Sequence, residues 1–152
     1  MASITNQSAR TGANGYGEYV ARQTIEFDGG AGSGAVGTVD LFTVTGSITC
    51  MVLCVCTEDL TEAGATATVE VGTAASTAAL IAQTNAINID DGEVWRDNTP
   101  AQIEVMTSWG GAIIAGGDDI ILTVGAQDVD DGTLVFICFW TPLTVGANVA
   151  PA

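Results

Sequence analysis

Cys50-Met51-Val52-Leu53-Cys54-Val55-Cys56 and Leu134-Val135-Phe136-Ile137-Cys138-Phe139-Trp140 are the two purely apolar runs that decide the fold of this chain. Seven residues are far too few to span a bilayer as a helix, which needs about 18–20. Such runs suit strands buried on both faces. The segments around them carry the other strand signals. Thr38 to Thr45 alternates, with Val39, Leu41 and Thr43 opposite Asp40, Phe42 and Val44. Ala65 to Val71 alternates with Ala67, Val69 and Val71 inward and Thr66, Thr68 and Glu70 outward. Further strands are expected at Tyr19–Phe27, Ser47–Thr57, Glu93–Trp95, Gln102–Met106, Ala112–Ala115, Ile120–Val124 and Thr133–Trp140.

Between these segments stand turn pairs: Asp28-Gly29, Asp91-Gly92, Gly116-Gly117 and Asp131-Gly132. Ala74–Ala82 is rich in alanine and is the one place where a short helix is expected. The fold class predicted is therefore all-β: an antiparallel β-sandwich or jelly roll with at most one short helix. Twenty threonines and only 14% charged residues agree, because β-branched polar side chains suit a half-exposed pleated face. Residues 1–18 are small and polar, with Gly12, Asn14, Gly15 and Gly17, and read as an extended N-terminal arm. Residues 19–152 read as a single domain.

The 152 residues include 18 acids, three arginines, no lysine and no histidine, for a net charge of −15. With 47% hydrophobic residues, the chain is acidic without being a disordered polyanion. The charge is uneven. Arg10 and Arg22 against Glu18 leave residues 1–22 at +1, and the remainder carries −16 with Arg96 as its single cation. Such a chain is not expected to bind nucleic acid, which takes a basic surface. Without histidine there is no Ser-His-Asp triad, no Cys-His dyad and no imidazole ligand. Without lysine there is no Schiff-base chemistry and no P-loop. The first ten residues contain no apolar signal segment, which predicts synthesis in a reducing cytosol and no membrane partner.

Four motifs invite chemistry. Cys50, Cys54 and Cys56 share one strand face, and Cys138 lies in the other apolar run. Their spacing matches no standard zinc pattern, and they read as small buried hydrophobes. Gly32-Ser33-Gly34-Ala35-Val36-Gly37 fits G-x-G-x-x-G, but a strand follows it where a dinucleotide site needs a helix. Asp90-Asp91, Asp118-Asp119 and Asp128/Asp130/Asp131 fail the EF-hand spacing and read as solvated turn acids, so no metal and no cofactor is predicted. Glu93 and Glu104 are the candidate carboxylate pair for glycoside hydrolysis, with Trp95 and Trp109 as candidate sugar-stacking residues nearby. Nothing in the sequence fixes the separation of the two carboxyls, and the chain is expected not to be an enzyme.

Ala79-Leu80-Ile81-Ala82-Gln83-Thr84, Asn88-Ile89-Asp90-Asp91-Gly92-Glu93-Val94-Trp95, Asp119–Gly125, Asp131–Phe136 and Trp140–Leu143 together resemble small virion proteins of tailed bacteriophages. The resemblance covers roughly residues 60–149 and rests on turn-and-strand signatures. It implies a capsid decoration, or cement, protein with a sandwich or jelly-roll body, made in the host cytoplasm and carried on the virion surface. The implied partner is the major capsid protein, and the implied state is a homotrimer. Arg10, Tyr16, Tyr19 and Arg22, in or beside the arm, are the candidate shell contacts. The alternative is a fibre or host-surface adhesin module in which Trp95 or Trp109 stacks on carbohydrate.

Overall fold

The computed structural model describes residues 9–10, 19–106 and 111–152. It is an antiparallel β-sandwich. In chain order the strands are β1 (Ala9–Arg10), β2 (Tyr19–Glu26), β3 (Gly37–Thr45), β4 (Ile48–Thr61), β5 (Thr68–Thr73), β6 (Ser76–Asn85), β7 (Val94–Trp95), β8 (Ala112–Ile114), β9 (Ile120–Gly125), β10 (Asp131–Pro142) and β11 (Asn148–Pro151). The first sheet runs β1-β2-β10-β4-β7, with β8 also on β4, and the second runs β11-β3-β9-β5-β6.

The pairs nest. β5 pairs β6, β4 pairs β7 and β8, β3 pairs β9, and β2 pairs β10, all antiparallel. The chain is thus one long two-stranded ribbon with the β5–β6 hairpin at its tip, rolled so that its sections alternate between the two sheets.

The apolar runs lie side by side at the centre of the first sheet. Cys50 stands opposite Trp140, Cys54 opposite Phe136 and Cys56 opposite Leu134. These six side chains and Cys138 are fully buried against Val39, Leu122, Val124, Val69 and Val71 of the second sheet. Burying each large apolar side chain contributes on the order of 1.5–3 kcal/mol, so the two runs carry much of the core. The expectation of burial on both faces holds fully only inward: on the opposite face Met51 is buried, while Leu53, Val55, Val135 and Ile137 are half-buried.

Several local expectations are corrected. Ala74–Ala82 is not helical: it contributes the turn and most of strand β6, paired with β5. Gly72 explains why tertiary pairing overrides alanine's helix propensity here. A Cβ on Gly72 would lie 2.0 Å from the Ser76 carbonyl oxygen, so the hairpin closes tightly over a residue without a side chain. The sole helical element among the described residues is one 3-10 turn, Ala86–Asn88, capped by the Asn85 side chain. Residues 102–106 form no strand, and β11 was not anticipated.

In β3 the register shifts between Asp40 and Phe42. This bulge brings both Leu41 and Phe42 inward, so Val44 joins the buried face that alternation assigned to Thr43. Asp131-Gly132 is likewise no turn but the irregular start of β10. Of the expected arm, residues 9–10 form β1 on the edge of β2, and the rest lies outside the described residues.

Candidate functional site

The carboxylates proposed for acid–base chemistry are held by structural partners. Glu104 forms an ion pair with Arg96 at 3.1 Å, both side chains about four-fifths buried. Glu93 Oε2 accepts from the Asp90 backbone N–H at 3.1 Å and closes the turn before β7.

The sugar-stacking role expected of Trp95 is corrected. Trp95 is 0% exposed, stands edge-on to Phe136 at 6.2 Å, and donates its indole N–H to the Thr84 hydroxyl at 2.8 Å. Its ring faces are core surface, because β7 adds to the side of β4 away from β10 and Trp95 lies there opposite the buried Cys54. Trp109 lies outside the described residues.

The four cysteines are free and buried. The Cys50 and Cys138 thiols are hydrogen-bonded; that bond, then burial, pushes Cys138 well above the usual thiol range. Burial raises Cys54 well above its usual value and lifts Cys56 to about 11. A nucleophilic or metal-binding cysteine needs the opposite shift, toward thiolate. These residues act as packing groups.

The glycine-rich loop is closed on itself. Asp28 Oδ1 accepts from the Gly30 N–H at 2.8 Å and from the Ser33 hydroxyl. Both bonds, the Ser33 bond first, hold the Asp28 carboxyl below its usual range. The Val36 N–H donates to Asp128 Oδ1, and the Val129 N–H donates to the Gly34 carbonyl. Strand β3 begins at Gly37, so no helix N-terminus faces the loop. Among the described residues no cluster of three or more His, Cys, Asp or Glu side chains is placed to hold a metal ion. Among them also, no helix is long and apolar enough to cross a membrane.

What the fold does assemble is a molecule with two unlike ends. At one end, Thr133 pairs with both Glu26 and Glu58. Glu26, Asp28, Glu58 and Asp131 line an open cleft of about 450 Å³ there. Asp59 accepts from the Asp91 N–H at 2.5 Å, and Cys56 exchanges backbone bonds with Gly92 and Glu93, which brings the 90–93 turn alongside. Asp130 donates its N–H to the Thr61 carbonyl, next to the Asp28 loop. Ten carboxylates therefore gather at this end: Glu26, Asp28, Glu58, Asp59, Asp90, Asp91, Glu93, Asp128, Asp130 and Asp131.

At the opposite end, Tyr19 packs on Trp140 with ring centroids 5.0 Å apart, and Pro142 pairs with Ile48, which pairs with Ile114. Here Ile113, Leu143 and Val145 are 69%, 51% and 89% exposed. Asp118 and Asp119 stand at this end, and Asp119 accepts from the Val44 N–H at 2.8 Å.

Three of the four residues expected to contact a shell are in the described chain. Arg10 and Tyr19 are direct register partners on β1 and β2. Arg22 is exposed further along β2, opposite Ile137. Tyr19 is half-buried by its contact with Trp140. Tyr16 lies outside the described residues. The exposed apolar trio at this end was missed from the sequence. Its signal is Leu143 and Val145, alternating just after Pro142 where a strand ends.

Comparison with protein-family models, curated proteins and solved structures finds no match.

Proposed function

We propose that the chain is a non-enzymatic structural protein that binds and stabilises an assembled capsid shell, as a phage decoration protein does. The observation that carries this reading is the division of the molecule into an acidic end and an apolar end. Ten clustered carboxylates keep the first end hydrated and disfavour close contact with acidic surfaces. Ile113, Leu143 and Val145 give the second end apolar area that gains by burial against a partner. Arg10 and Arg22 lie on the strand edge that leads to that end, as basic contacts for acidic groups of a major capsid protein.

The nested strand order, β2-β10-β4-β7/β8 facing β3-β9-β5-β6, supports a jelly-roll reading of the sandwich. That architecture recurs in virus shell domains and in sugar-binding domains alike, so the fold alone does not choose between them. The burial of Trp95 weighs against the adhesin alternative. The ties on Glu93 and Glu104 weigh against hydrolysis.

The test is addition of purified protein to shells that lack it, followed by co-sedimentation and thermal rupture. Wild type is expected to sediment with the shells and raise their rupture temperature. Leu143→Glu with Val145→Glu is expected to abolish binding, and Asp90→Asn with Asp91→Asn to preserve it. Wild type left entirely in the supernatant refutes the reading.

A further inference from the structure

Beyond Val20, strand β2 is the long regular edge of the sandwich. The other outer strands are short or broken: β7 and β8 have two and three residues, β11 has four and ends at Pro151, and β6 is interrupted by two register shifts against β5. β2 runs eight residues against β10 without a shift, and β1 covers only Tyr19 and Val20 on its other side. Natural sheets rarely leave such an edge unblunted, because its free backbone groups are a template for another strand.

The free groups can be named. The Phe27 N–H donates to the Gly132 carbonyl at 2.9 Å, in the register that pairs Glu26 with Thr133. Backbone groups alternate sides along an antiparallel strand, so Ile25, Gln23 and Ala21 also turn their N–H and C=O toward β10. Glu26, Thr24 and Arg22 turn theirs outward, and all three residues are exposed. Val20, the next in this series, is the residue that Ala9 pairs. Among the described residues no other backbone group reaches those of Arg22, Thr24 or Glu26.

We propose that this edge takes an extended segment of a partner protein, added antiparallel to β2 with an acid opposite Arg22 and a base opposite Glu26. The inference rests on the reading of Arg22 as a partner contact. Backbone geometry selects an extended chain, and charge selects which one. Arg22 is exposed and outside the Arg96–Glu104 ion pair. Glu26 stands four residues on, on the same side of the sheet, so the edge presents a cation and an anion in fixed order. Opposite charges directly across a ladder stabilise it, and like charges oppose it.

The other occupants fit less well. The chain's own residues 1–8 precede Ala9 on the same line, but continuing that register sets Gln7 opposite Arg22 and Ser3 opposite Glu26, and those eight residues hold no acid. A second copy of β2 centred on Thr24 has the right order of charges. It brings a body of −15 with it, and its Asp28 falls opposite Val20, where Ala9 already pairs.

The probe is the end-capped peptide Thr-Lys-Val-Thr-Ser-Glu-Thr, which sets its Lys opposite Glu26 and its Glu opposite Arg22. The controls are its charge-exchanged twin, Thr-Glu-Val-Thr-Ser-Lys-Thr, and a copy of the first peptide N-methylated at Lys, the central Thr and Glu. All are neutral overall, so none gains from long-range attraction to the body. Amide exchange of the full chain, followed residue by residue by NMR, is the measurement. The first peptide is expected to slow exchange at Arg22, Thr24 and Glu26 several-fold and to leave Gln23 and Ile25 unchanged. The twin and the N-methylated copy are expected to leave all five at the rate of the free protein. Arg22→Glu with Glu26→Arg changes two exposed side chains and is expected to transfer the effect to the twin. No slowing by the first peptide overturns the proposal, and so does equal slowing by either control. Arg22, Thr24 and Glu26 amides that are slow without peptide, and that speed up on removal of residues 1–8 or on dilution, assign the edge to the chain's own start or to a second copy and overturn it as well. No shell enters this measurement, so a chain that binds shells but not the peptide refutes this inference alone.

Discussion

Trp95 in the first sheet donates its indole N–H to the hydroxyl of Thr84 in the second, across 2.8 Å and out of contact with water. Among the described residues Thr84 is the one buried polar residue of the core, at 4% exposure. Its hydroxyl also reaches the carbonyls of Ala82 and Asp97, at 3.0 and 3.4 Å. One side chain thus ties β6, β7 and the segment after β7 where the two sheets meet at their edge.

Thr84→Val keeps the shape of this residue and removes the acceptor of a buried donor. An unsatisfied buried polar group costs about 1–3 kcal/mol. The urea midpoint is expected to fall by a corresponding amount, with the far-ultraviolet spectrum of the native state unchanged. An unaltered midpoint would show that the indole bond contributes nothing to stability.

The thiols give a direct probe of opening. Cys50, Cys54, Cys56 and Cys138 are inside the sandwich, and Cys54, Cys56 and Cys138 are held toward the protonated form. Native protein at neutral pH is expected to resist a thiol-specific reagent, and all four residues to react after unfolding. A folded pKa raised above the unfolded value means that the unfolded chain loses its proton first. Stability is therefore expected to fall as pH rises from about 9 toward 11, the window set by Cys56. Cys56→Val is expected to flatten that decline, read as the thermal midpoint against pH.

Gly34 is fixed by its surroundings. Its φ is +137°, and a Cβ there would lie 2.2 Å from the Val129 carbonyl oxygen, which its own backbone also approaches by accepting the Val129 N–H. Gly34→Ala is expected to break this junction between the two loops and lower the melting temperature by several degrees, as left-handed strain and a backbone clash together cost a few kcal/mol. Gly32→Ala has open space around it and is the milder control, strained in φ alone.

The Asp28 carboxyl, held below its usual range by Ser33 and then Gly30, supports the same loop from solvent. A lowered folded pKa contributes stability that is present above the unfolded value of about 3.9 and lost as pH falls through the native one. Amide exchange at Gly30, Ser33 and Ala35 is expected to accelerate several-fold in Asp28→Ala at neutral pH, with little change in the core strands. Equal protection in the variant would remove Asp28 as the loop's anchor.

The acidic end predicts a salt response of the monomer itself. Ten carboxylates on neighbouring loops repel one another, and screening relieves that repulsion. The melting temperature of dilute protein is expected to rise between about 0.01 and 0.5 M sodium chloride, where the Debye length falls from about 30 Å to under 5 Å. Asp90→Asn with Asp91→Asn is expected to reduce the rise.

The strands that carry the core were legible because their signals are local. Two seven-residue apolar runs and clean alternation over Ala67, Val69 and Val71 admit few other readings. Ala74–Ala82 misled because alanine favours helices when nothing else acts, whereas here Gly72 lets a hairpin close and the sheet supplies the partners. The bulge at Leu41 and the pairing of β11 on β3 depend on neighbours distant in sequence, and no local pattern reports them.

The same division governs function. Composition by itself determined the charge, the absence of histidine and lysine chemistry, and the all-β class, because each follows from residue counts or period-two patterning. Tertiary structure alone decided that Trp95 is core, that ten carboxylates from four separate stretches meet at one end, and that Ile113, Leu143 and Val145 stand exposed at the other. These are properties of distance in space, and rolling the ribbon into two sheets sets those distances without regard to distance along the chain.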